Sequence, residues 1–78
     1  MPKTHTAFFL RRDSTVIRFA KHREYGDNMV MVTRYEDGKE MSDIMGITHN
    51  FFEICDARVK WSKYISFGFA YCEEPINA

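Results

Sequence analysis

Apolar residues in this chain repeat with two different periods, and the change of period between Tyr35 and Thr48 constrains the fold more than any other feature. Up to Tyr35 they come in short runs rich in Phe, Val and Ile that alternate with polar residues, as in strands with one covered face. From Thr48 onward they recur every three to four positions, the spacing of an amphipathic helix. A chain that is strand-like first and helical afterwards belongs to the α+β class. With only 78 residues it has room for one domain, 1–78, built on one core.

The strand half divides at its turns. Ala7–Arg11 and Thr15–Ala20 are apolar segments separated by Arg12-Asp13-Ser14, a turn-forming trio, and together they predict a β-hairpin. A polar stretch, Lys21–Asp27, leads to Asn28–Tyr35. There alternation sets Val30, Val32 and Arg34 on one face and Met29, Met31, Thr33 and Tyr35 on the other. Asp37-Gly38 is the strongest short hairpin signal, because glycine takes the positive φ the tight turn demands, and a brief fourth strand is expected around Glu40–Ile44.

The helical half is predicted to run from Thr48 to about Phe67, with Thr48 or Asn50 as its cap. At about 100° per residue, Phe51, Ile54, Cys55, Trp61 and Ile65 share one arc with Ala57 and Tyr64 at its edge. Glu53, Asp56, Lys60 and Lys63 lie opposite, with Asp56 and Lys60 spaced for an i,i+4 pair. Gly68 is placed to end the helix, and Phe69–Cys72 to return as a last short strand. The expectation is an antiparallel sheet of three to five strands with one C-terminal amphipathic helix packed on one face. Its core would draw on Trp61, Ile54, Ile65, Phe51, Val30, Val32, Ile17 and Phe19, and residues 1–5 and 73–78 would be tails.

The stretch Ala57-Arg58-x-x-Trp61-x-x-Tyr64-x-x-x-Gly68-Phe69 resembles the closing segment of small uncharacterised domains from cyanobacteria and their phages, in which an Ala-Arg-x-x-Trp helix ends in Gly-Trp or Gly-Phe. Here Tyr64 stands where Leu is more usual. The resemblance covers about a sixth of the chain. It implies strands followed by a packing helix and a phage or accessory-gene setting, and it transfers no activity.

Catalytic chemistry finds little in the sequence to attach to. Cys55 and Cys72 lack the C-x-x-C spacing that brings two thiolates to one ion, and the lack of an export signal points to reduced thiols in a cytoplasm. His49 lies two helical turns before Cys55, the one conceivable base and nucleophile, but an exposed catalytic thiol also needs a cleft and an oxyanion hole, and Cys55 reads as a packing cysteine. The glycines are isolated and form no phosphate loop. The sequence therefore predicts no enzyme activity, no cofactor and no metal.

Two binding functions follow instead. Apolar residues beyond what one helix–sheet contact covers, Phe52, Val59, Tyr64, Met29 and Met31, point to a protein partner, as for a small regulator or inhibitor. The alternative is nucleic acid, held by the first hairpin through Phe9, Arg11, Arg12, Arg18, Lys21 and Arg23, whose aromatic and basic side chains could stack bases and neutralise phosphates. Against it stands a pI of about 6.8. Residues 1–25 hold six basic and two acidic residues, a net of +4, and residues 26–78 a net of −4. A neutral chain with opposite halves and a small core is expected to self-associate, as a homodimer burying Phe52 and Val59 or pairing a strand edge.

Overall fold

A computed structural model of the chain describes residues 5–73. Strands β1 (His5–Arg12), β2 (Thr15–His22), β3 (Met29–Glu36), β4 (Lys39–Met41), β5 (His49–Glu53) and β6 (Ala70–Cys72) form one antiparallel sheet, with helix α1 (Ile54–Ser66) between β5 and β6. Across the sheet the order is β4-β3-β2-β1-β6, and β5 joins β3 beside β4.

The turns take the form their residues dictate. Asp37 and Gly38 both have positive φ, 52° and 81°, closing the two-residue loop between β3 and β4 in the twist that suits a hairpin. Asp13 at φ 54° does the same between β1 and β2, a conformation its short side chain tolerates better than most. Between β2 and β3, Arg23–Tyr25 form a single 3-10 turn, and Lys21 reaches across it to the carbonyl of Asp27 at 2.8 Å.

The β4–β5 arrangement departs from the sequence expectation. Residues 49–53 form a strand, β5, which brings the sheet to six strands where three to five were expected, and α1 begins at Ile54 with Glu53 rather than Thr48 or Asn50 at its cap. Alternation explains it: Asn50 and Phe52 point to the helix-covered face, where Phe52 pairs with Val30, while His49, Phe51 and Glu53 point to the other. Two adjacent aromatics satisfy a strand edge as well as a helix start, and the open hydrogen bonds of β3 decide between them. Arg34 pairs with Met41 and its neighbour Thr33 pairs with His49, so β4 and β5 are one edge strand interrupted by an excursion of residues 42–48.

The core lies between α1 and the face of the sheet that carries Leu10, Ile17, Phe19 and Val32. Ala57 is the helix's one buried residue; without a large side chain there, the helix settles close to the sheet. Trp61 and Tyr64 flank it and meet the Phe19 ring edge-on at 5.1 and 6.3 Å. The buried arc is thus centred on Ala57, Trp61 and Tyr64, rotated from the expected one. Ile17, Phe19 and Val32 are buried as predicted and Val30 is packed against them, but Phe51 and Ile65 are exposed, as is Cys55. Lys60 leaves the solvated arc and lays its ammonium 4.5 Å from the centre of the Phe52 ring.

Gly68, at φ 96°, ends the helix as predicted: its N–H bonds to Ile65 and that of Phe69 to Tyr64, and the Phe69 ring folds back on Tyr64. Arg12, from the far end of β1, donates to the Phe67 carbonyl at 2.7 Å, setting a cation at the negative end of the helix. Replacing Gly68 by Ala should cost about 1 kcal/mol or more through the positive φ, and replacing Trp61 by Ala about 3 kcal/mol. Chemical denaturation measures both, and a Trp61→Ala protein with unchanged stability would contradict the helix-on-sheet packing.

Candidate protein-interaction surface

The helix lies over β3 and β5 and, although Leu10 of β1 is buried with Ala57, it leaves Phe8 of β1 and Tyr71 of β6 uncovered on the same face. Along their side runs a groove of about 540 Å³ floored by Phe19, Val30 and Ala57 and walled by Phe8, Trp61 and Tyr71. Phe8 is 48% exposed and Tyr71 58%, both large side chains turned toward solvent from the covered face of the sheet. Phe8 meets Trp61 edge-on at 6.5 Å, so these two rings form one aromatic surface, and Tyr71 lines the same groove. Lys21 and Arg58 are its cations. Lys21 is held by the Gly26 and Asp27 carbonyls, and neither it nor Arg58 makes an ion pair with a described residue. An apolar trough edged with positive charge suits an apolar group with acidic neighbours.

A second exposed apolar feature stands at the opposite edge of the sheet. In the 42–48 excursion the Asp43 carboxylate accepts from the Met45 and Ile47 N–H groups at 2.8 and 3.0 Å, the Asp43 N–H bonds to the Ile47 carbonyl and the Gly46 N–H to that of Asp43. These bonds close a tight turn whose corner residues are Ile44 and Met45, 104% and 80% exposed. The base of the excursion is tied down by His49, whose Nδ1 meets the Thr33 hydroxyl at 2.9 Å and whose Nε2 lies 3.8 Å from the Glu40 carboxylate.

Most of the residues singled out for a protein partner lie elsewhere. Met31 is buried on the uncovered face, Phe52 and Tyr64 belong to the core layer under the helix, and Met29 is half-buried. Only Val59 is solvent-facing, on the outer side of α1. Sequence reasoning missed Phe8, Tyr71, Ile44 and Met45. The signal for the last two was present: Asp-Ile-Met-Gly is a turn with large apolar residues at the corners, where polar ones are usual.

The nucleic-acid set is divided. Register puts Phe9, Arg11 and Arg18 on the face away from the helix, and Arg12 and Lys21 on the helix side, with Arg23 in the 3-10 turn. Phe9 is 3% exposed, packed with Val16 and Tyr35, and offers no ring for stacking. Burial raises the Tyr35 hydroxyl's pKa, while Arg18 pulls it down and Glu40 pushes it up.

His49 turns its ring to Thr33 and Glu40 and not to Cys55. Thr33 is 1% exposed, so this row is a tie between strands and not a nucleophile with its base. Glu53, Cys55 and Asp56 place their ligand-type atoms within 4.8 Å of one another at the start of α1, all solvent-exposed. Among the described residues, no helix is long and apolar enough to cross a membrane. Comparisons of the chain with protein-family models, curated proteins and solved structures found no match.

The two thiols differ in a measurable way. Burial pushes the Cys72 thiol up, with Arg11 pulling weakly the other way, so less of it is thiolate at any given pH. Cys55 is exposed. Alkylation near pH 8 should label Cys55 first and Cys72 markedly later, and mass spectrometry of the two peptides checks the order.

Proposed function

We propose that this domain is a non-catalytic protein-interaction module, a small regulator or inhibitor that acts by seating an apolar segment of a protein partner in the groove between α1 and the β1–β6 edge. The observation that carries this reading is the outward placement of Phe8 and Tyr71 beside Trp61, on the one face where the fold had a helix available to cover them. Aromatic side chains clustered in a partly desolvated trough are the usual anchors of protein interfaces, and charged neighbours set orientation and encounter rate. A phage or accessory-gene setting, in which a short chain acts by occupying a host protein's surface, agrees with a domain whose exposed features are apolar.

The test compares capture of host proteins by the wild-type domain and by a Phe8→Glu, Tyr71→Glu variant, with folding of both verified by circular dichroism. The expected result is a partner retained by the wild type after nuclease treatment and lost, by about tenfold or more in affinity, from the variant. Retention that depends on Arg11 and Arg18, falls steeply with salt and disappears with nuclease would instead favour nucleic acid.

A further inference from the structure

We propose that the Ile44–Met45 corner of one molecule docks into the Phe8–Trp61–Tyr71 groove of a second copy, so that the domain self-associates head to tail. This rests on the reading of the groove as a protein-binding site and names one occupant for it.

Three features of the molecule fit together in this contact. The first is shape: the corner is an apolar projection held rigid by the four hydrogen bonds around Asp43, and the groove is an open apolar trough. A pre-closed turn loses little conformational freedom on docking, which is the condition under which two side chains can matter. The second is chemistry, since a methionine thioether makes favourable contacts with aromatic rings and the groove is lined by four of them, Phe8, Phe19, Trp61 and Tyr71. The third is charge. Residues 34–48 hold Glu36, Asp37, Glu40 and Asp43 against Arg34, which pairs with Glu36 at 2.8 Å, and Lys39, a net of −2, whereas the groove is edged by Lys21 and Arg58. A formal net charge of zero leaves no long-range repulsion between copies.

The two halves of the contact sit at opposite edges of the sheet, the corner beyond β4 and β5 and the groove beside β1 and β6. The interface therefore joins unlike patches, in contrast to the symmetric pairing through Phe52 and Val59 expected from the sequence, and it closes only as a ring or continues as a chain.

Unlike patches permit a complementation test. One variant carries Ile44→Asp and Met45→Asp, both at fully or largely exposed positions; the other carries Phe8→Glu and Tyr71→Glu. Wild-type protein followed by light scattering should rise in mass with concentration above the 9.3 kDa of one chain. Each variant alone should stay at that mass, and an equimolar mixture should form a one-to-one pair and nothing larger, because it contains one intact corner and one intact groove. Arg58→Glu should weaken wild-type association by about tenfold. A wild-type mass constant at high concentration, association unaffected by either variant, or variants that fail to complement would each overturn the proposal. If the groove variant loses a host partner while the wild type stays monomeric, the interaction reading stands and only self-docking falls. Should the groove variant change neither, both fall.

Discussion

The third strand is bonded along both flanks, and the rest of the domain is arranged by what it takes to satisfy it. On one side β2 supplies a partner from Thr15 to Ala20. On the other no single continuous strand is available, because the hairpin at Asp37-Gly38 returns only as far as Met41 before the chain leaves the sheet. The backbone groups of Met29–Thr33 would be left open at a sheet whose covered side is apolar, a costly arrangement. Residues 49–53 fill the gap, and that recruitment shortens the helix, moves its start to Ile54 and fixes which side of the sheet it can lie across. The uncovered part of β1 and β6, with Phe8 and Tyr71 turned outward, is the remainder of the same accounting.

How much of this was legible in the sequence depended on whether local chemistry had competition. Asp37-Gly38 and Gly68 were unambiguous because only a positive φ fits those turns and glycine is the residue that takes it freely; the structure has both where the sequence puts them. The faces of β3 followed from strict alternation of Val30, Val32 and Arg34 against Met31, Thr33 and Tyr35, and the register agrees. Residues 49–53 were not legible, since Phe51 and Phe52 suit a strand or a helix and the deciding factor was the unpaired flank of β3, a tertiary fact. The same holds for the helix arc: Ala57 lay at its edge by hydropathy, yet packing put the smallest residue at the closest approach.

The interaction surface was less visible for a related reason. The sequence shows more apolar residues than one helix–sheet contact obviously covers, but such a surplus does not say which ones the core will absorb. Phe52 and Tyr64 were taken in, one beneath Lys60 and the other between Phe19 and Phe69. Phe8 and Tyr71 were left out because the helix lies over the far half of the sheet. Ile44 and Met45 were left out because a closed turn holds its corner residues away from everything else in the fold.

The placement of that turn also bears on how the domain tolerates change in length. Met41 and His49 stand opposite consecutive residues of β3, so the pairing on either side is indifferent to how many residues separate them. Closure entropy grows slowly with loop size, about 0.6 kcal/mol for each doubling. The seven-residue excursion is therefore a position where segments of other lengths and sequences could be grafted without shifting the register of any strand, which makes this small sheet a scaffold for displaying a chosen turn.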